Sequence, residues 1–400
     1  MKTPHLLILG LILLTTHALA ATPVIHNTKP THPPRVISLE EQWRVGGEDG
    51  DLLFGLVIQA ASDAEGNVYL LDRQLCHVEV IAPDGEHLRT ISGQGEGPGE
   101  VQVPIDLVIL EDGSLGILEL FPSKLVTMAT DGTPRNSLTM KLDAEGSGIM
   151  ISISCQQRAG VLLAAGHRAV QSQAGQERNM YLGRFDAEGQ RQVEYCQHTA
   201  SLSFDPPRFD EGDLLPAFFF ASAVGPDGRV YAATSTDNYR IEVFQPDGAP
   251  DRVIERAFTN RPRDDRERSR ITARVDSWYR DFPGEVERQY LDHELPINEI
   301  FVTDEGTVWV CHNRSHHDLP TGIMASYDTF DSQGNYLQEV HVAHDADPAY
   351  DGLVFLGDDR VLLIKGLVLS RLESLGNNAV EFGELEDEAA MEVICCRIRG

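Results

Sequence analysis

The chain has 400 residues, 42% of them hydrophobic, and a formal charge of −29. Apolar content of that order supports a large core, while so strong an acidic excess repels nucleic acid and anionic membrane surfaces, so neither is expected as a partner. Cationic partners, metal ions and neutral ligands stay open.

Residues 1–20 have the pattern of a secretory signal: Lys2, an apolar run from Leu6 to Leu14, then Ala18-Leu19-Ala20 before Ala21. The run is too short to span a bilayer. Cleavage after Ala20 is expected, leaving a periplasmic or secreted chain without a membrane span. Residues 21–34 are expected as a flexible N-terminal segment ahead of one folded domain over residues 35–400.

Along that domain two turn signals alternate. The first is an Asp-Gly or similar turn before an apolar strand, at Gly66, Gly113, Gly160, Gly228 and Gly306 and, without glycine, at Asp358-Asp359. The second lies between successive members of the first, at Gly85, Gly132, Gly189, Gly248 and Gly334. Such turns suit tight hairpins, because glycine reaches positive φ without a steric penalty and Asp or Asn bonds the local backbone. Gly66, Gly113 and Gly160 are evenly spaced, and Gly85 to Gly132 repeats the step. A repeat of roughly 40–50 residues with two hairpins describes a four-stranded propeller blade.

Six first hairpins and five second ones leave the last blade one strand short. The run Arg35-Val36-Ile37-Ser38-Leu39 through Val45 precedes the first blade and can supply that strand. The fold expected is therefore all-β, a six-bladed β-propeller closed by its N-terminal strand, which also removes an open sheet edge.

The largest interruption, about residues 256–296, falls between blades four and five. Its middle, Asp264 to Tyr290, favours helix, with an apolar stripe at Ile271, Val275, Trp278, Tyr279 and Phe282. Such a helix is expected to lie on the rim opposite the tight turns, stripe down. That rim also receives the other long connections: residues 46–51, 92–100, 204–215 and 311–321.

Six cysteines, Cys76, Cys155, Cys196, Cys311, Cys395 and Cys396, permit up to three bridges in an oxidising compartment. None has CxxC spacing. Adjacent Cys395 and Cys396 in a strand would face opposite ways.

Gly93-Gln94-Gly95-Glu96-Gly97-Pro98-Gly99-Glu100 followed by Pro104, together with Leu295-Pro296-Ile297-Asn298 before Val308-Trp309-Val310, resembles the secreted bacterial six-bladed propellers of the NHL-repeat and TolB-like kind. The resemblance covers nearly the whole mature chain and implies binding more than any one reaction. The glycine-rich stretch itself lacks the Lys-Ser/Thr of a phosphate loop, and its carboxylates would repel phosphate, so it reads as a connector between blades.

His312, His316 and His317, with Cys311 and Asp318, form the densest group of metal-ligand types, yet they read as loop, where a four-residue spacing has no fixed geometry. Arg73, Lys124, Tyr239, Arg240 and Arg314 are expected in or beside the second-to-third strand connections, where they would meet an anionic or carbohydrate ligand. Asp72, Asp106, Asp237 and Asn298 are the metal candidates: they would ring the channel mouth with hard oxygens of the kind Ca²⁺ prefers. Calcium-dependent lactonases of the gluconolactonase and paraoxonase kind hold their metal in such a place, although their motifs do not match residue by residue. There is no serine-nucleophile elbow. The first expectation is a non-enzymatic propeller binding a protein, peptide or glycan on the loop-rich rim. The alternative is a calcium-dependent lactonase or esterase at the channel mouth, and a third reading is a structural domain of a larger envelope assembly.

Overall fold

The computed structural model describes residues 21–142, 148–171, 175–203, 206–280, 284–374 and 390–400. The signal sequence and Phe282 lie outside them. The strands form antiparallel meanders over residues 57–91, 104–139, 149–203, 222–256, 297–343 and 352–399, each paired in chain order. The second strands Val68–Asp72 and Leu115–Glu119 are buried at every position. Strands covered on both faces read as unbroken apolar runs, and here the cover comes from the neighbouring sheets. Tyr69, Leu71 and Val78, for example, share a core with Leu107, Leu115 and Ile117 of the next meander.

First strands from every meander line one central channel, among them Val57–Ser62, Pro104–Ile109, Ile149–Arg158 and Ile297–Val302. The arrangement is a β-propeller. The Asp-Gly hairpin turns lie at one end of the channel and the long connections between sheets at the other, because each meander begins and ends at the same end.

The second-hairpin glycines have a shared role. Gly85, Gly132, Gly189, Gly248 and Gly334 all have positive φ, and each turn tucks against the outer strand of the preceding sheet. A Cβ on Gly85 would stand 2.6 Å from the Trp43 Cβ, one on Gly248 2.7 Å from Val193, and one on Gly334 2.7 Å from Ile254. Turn geometry and sheet-to-sheet packing thus demand glycine together.

Trp43 belongs to the strand Arg35–Gly46, which pairs antiparallel with Glu392–Arg399 and, over Arg35–Ser38, parallel with Tyr336–Ala343. Its indole N–H donates to the Pro83 carbonyl at 3.1 Å. Residues 21–34, expected to be flexible, carry an ordered strand instead. Val24–Asn27 pairs in parallel with residues of Pro250–Arg256, and the Asn27 side chain donates to the carbonyls of Glu255 and Gly334 and accepts from the Tyr336 N–H at 2.9 Å. The exposed edge of that sheet offered unpaired backbone groups, and the segment satisfies them.

The described residues include the helices α1 (Glu211–Leu214), α2 (Asp265–Trp278) and α3 (Leu367–Ser374). The α2 start is a capping box, with Asp264 accepting from the Glu267 N–H and Glu267 from the Asp264 N–H. Its stripe of Ile271 and Val275, continued by Tyr279, is buried against Phe209, Leu214 and Phe218. The helix is shorter than the propensity over Asp264 to Tyr290 suggests: Pro283 and Gly284 follow it, and Glu287–Gln289 pairs as a strand with Arg208–Asp210.

All six cysteines are unbridged, five of them buried. Cys395 and Cys396 face opposite ways into separate cores, one with Trp43 and Val57, the other with Ile37 and Val340. Both are ordinary core residues, their thiols pushed up to about 11 by burial. Among the described residues no helix is long and apolar enough to cross a membrane.

Candidate functional site

Two concavities open on the side of the long connections. The channel, about 700 Å³, is shaped by β-bulges at equivalent places in four first strands, which leave Ile58, Ile105, Ile153 and Asn298 unpaired. A bulge re-aims the residue after it. Those residues are Gln59, Asp106, Ser154 and Glu299, and all four line the channel.

Asp106 accepts from Gln59 Nε2 at 3.1 Å, from its neighbour Leu107 N–H at 2.8 Å and from Cys155 N–H at 2.7 Å, linking three sheets. Burial nevertheless pushes its carboxyl up to about 6. Glu299 is likewise raised by burial, opposed by Arg371. Arg371 of α3 donates to the Ile58 carbonyl at 3.1 Å and so reaches over the mouth. At the other end, Arg158 reaches the carbonyls of Val224 and Val302 and the Asp304 carboxylate, crossing the channel behind the tight turns.

Pairing register separates two motifs that look alike in sequence. Pro104-Ile105-Asp106 and Pro296-Ile297-Asn298 seem to align Asp106 with Asn298, but the bulges place Ile105 opposite Asn298 in role, and Asp106 opposite Glu299. Sequence reasoning therefore passed over Glu299, since a bulge leaves no mark in composition.

The second concavity, about 340 Å³, lies between α2, α1 and the loop after Val308–His312. Its polar frame is held by a buried fork. Arg263 donates through both terminal nitrogens to Glu211, at 2.7 and 2.6 Å, and through Nε to Glu294 at 2.7 Å. Paired in this way the charges hold a fixed geometry that an isolated buried guanidinium would not tolerate. Beside it Arg261 pairs with Glu267, which is also 3.3 Å from His317. Leu215, Phe220, Leu291, Leu295 and Val368 supply apolar wall, and Arg270 and Arg274 extend into it from α2.

His312, His316 and His317 all line this cavity but turn to different partners. His312 Nε2 is 3.6 Å from Asp328, and His317 receives an N–H from Arg261 at 3.0 Å. His316 is pushed down to about 4 by burial, which leaves it neutral, 3.6 Å from Cys311 Sγ and 3.4 Å from the Met324 carbonyl. Asp318 stands apart, largely exposed.

The four oxygen candidates are dispersed. Asp72 is fully buried and accepts from the N–H groups of Gly55, Leu56 and Leu75. Asp237 is an exposed loop side chain 3.8 Å from His293. Asp106 and Asn298 line the channel, and Asn298 the cavity as well. With Asp72 and Asp106 already turned to N–H donors, the set does not form one oxygen cage. Among the described residues no three His, Cys, Asp or Glu side chains gather as a metal-binding group.

The five cationic and aromatic candidates line neither concavity. Arg73 donates to the Pro104 carbonyl at 3.4 Å, Lys124 pairs with Glu119 at 2.9 Å, and Arg240 pairs with Glu242 and Glu255. Arg314 lies 3.8 Å from Asp318. Tyr239 is a core side chain, packed on Phe258 and Phe330 with the Arg256 guanidinium over its ring.

No family model matches the chain, and no curated protein matches it. Among solved structures it is similar to a member of the DUF4221 family from Bacteroides vulgatus, 9% identical over 91% of this chain and 99% of that one, with a TM-score of 0.49. A protein of Bacteroides fragilis described as exported is 13% identical over 93% and 99%, with a TM-score of 0.48. The calcium-binding protein regucalcin from Agrobacterium tumefaciens is 13% identical over 92% and 97%, with a TM-score of 0.42. At these identities the functional reading rests on this chain's own residues.

Proposed function

We propose that this chain is an exported, non-enzymatic binding propeller of six blades, the last completed by Arg35–Gly46, with α2 as an insertion between blades four and five that roofs the ligand site. The cavity beneath α2 carries the reading. It is open, about 340 Å³, apolar over much of its wall, and framed by the Arg263 fork. Pockets of roughly 300–1,000 Å³ with a few fixed polar groups suit small organic ligands, free or as part of a peptide or glycan.

The test is thermal unfolding against a panel of neutral, anionic and cationic small molecules, with Leu295→Trp as a cavity-filling variant. At a hundredfold excess over its Kd a ligand stabilises by about 2.7 kcal/mol. At least one probe is expected to raise the melting temperature of the parent and not of the variant. A panel without effect, or equal effects on both proteins, overturns the reading.

The calcium-dependent lactonase is the second reading, favoured by Asp106 and Asn298 lining one channel. Stoichiometric calcium in the purified protein, with a melting temperature lowered by chelation, would put it first.

A further inference from the structure

Around the cavity beneath α2 arginine is usually matched to carboxylate. Arg263 takes Glu211 and Glu294, and Arg261 takes Glu267. Arg270 and Arg274 are different. They stand one helical turn apart on α2, both line the cavity, and neither has a carboxylate within ion-pair distance among the described residues. Arg270 gives one N–H to the Ala349 carbonyl at 3.2 Å, and the Arg274 guanidinium has no hydrogen-bond partner among the described residues. In a chain of charge −29 such a pair does not arise from a shortage of acids.

A half-buried guanidinium without an anionic partner has given up water and gained little in return. Burial lowers the pKa of both groups, which records that unmet cost, and arginine stays charged regardless. An anion entering the cavity would meet two planar forks already in position. Leu215, Leu291, Leu295 and Val368 would take an apolar body. Glu211, Glu267 and Glu294 are in the wall too, so a doubly charged phosphate is disfavoured relative to a singly charged, planar head.

We infer that the cavity binds a small organic carboxylate with an apolar body, its head group shared between Arg270 and Arg274. The inference rests on the binding reading above and specifies its ligand class.

The experiment titrates octanoate into the full chain by calorimetry, beside 1-octanol and inorganic phosphate. Octanoate is expected to saturate a single site, with 1-octanol and phosphate at least tenfold weaker. Arg274→Gln should weaken octanoate at least tenfold, and Arg270→Gln with Arg274→Gln further, while 1-octanol binding stays level. Arg274→Lys, which keeps the charge and loses the fork, should fall between and guards against a misfolded Gln variant. Octanoate that fails to saturate at millimolar concentration, or binds the folded variants as it binds the parent, overturns the inference. If a neutral or cationic probe fills the cavity and octanoate does not, only the carboxylate assignment falls. If Leu295→Trp changes the binding of no probe, the binding reading falls with it.

Discussion

Asp106 combines two opposing effects in one carboxyl group. Three N–H donors favour its ionised form, and burial disfavours it more strongly, so the folded pKa is about 6 where an exposed aspartate has 3.8. The folded state therefore holds a proton that the unfolded state has already released. Stability from this group is complete below the unfolded pKa, falls as pH rises from about 4 to 6, and is level above that. The full loss is roughly 3 kcal/mol. Other carboxylates titrate in the same range, so the useful quantity is a difference. Urea unfolding of the parent and Asp106→Asn at pH 4 and pH 7 should show the variant losing less stability across the interval; equal losses would contradict burial as the dominant cause. The bulge that aims Asp106 also aims Glu299, and neither orientation is written in the residues themselves. A Pro-Ile-Asn motif in sequence names Asn298; the register names the next residue.

At the scale of elements, the turns are where sequence and structure agree most closely, because an Asp-Gly pair determines local backbone geometry without help from distant residues. Yet two glycines of similar φ do different work. Gly113 has φ +77° with nothing within 4 Å of an added Cβ, and Gly85 has φ +93° with Trp43 at 2.6 Å. Gly113→Ala is expected to cost about 1 kcal/mol, the strain of a left-handed alanine. Gly85→Ala adds a collision with the indole and should cost more, about 2–4 kcal/mol. Chemical denaturation of the two variants measures the gap; equal costs would mean that Trp43 yields freely. The α2 start falls at Asp264, where the helix-favouring stretch begins, and the structure adds a capping box there within four residues. The placement of Arg270 and Arg274 in the cavity was not legible, since a helix with several arginines reads as a solvated face until its neighbours are known.

For the whole molecule, the N-terminal segment acts as a strap. Val24–Asn27 extends one sheet, Thr31 and His32 donate backbone N–H groups to Tyr336 and Leu337 of the next, Arg35–Gly46 pairs with Glu392–Arg399, and Trp43 covers the Gly85 turn. Removing residues 21–33 should lower the melting temperature and leave one cooperative transition. Removing residues through Gly46 should broaden or abolish that transition, since it uncovers the edge of the last sheet and the Trp43 site together. Scanning calorimetry of the two truncations distinguishes them, and equal transitions in both would show that closure does not depend on this strand.

The sequence by itself determined the strand class, the hairpin turns, the partner strand near the N-terminus and the helix start, because each depends on neighbours in the chain or on a repeating count. Tertiary structure alone decided the rest. It set the bulge register that exposes Glu299, turned residues 24–27 into a strand, left the cysteines unbridged, and consumed Asp72, Lys124 and Arg240 in internal pairs. It also brought Arg270 and Arg274 into a cavity where, among the described residues, neither meets a carboxylate. Whether a charge is satisfied depends on groups brought close by packing, often from distant parts of the chain, and a linear pattern carries no record of that distance.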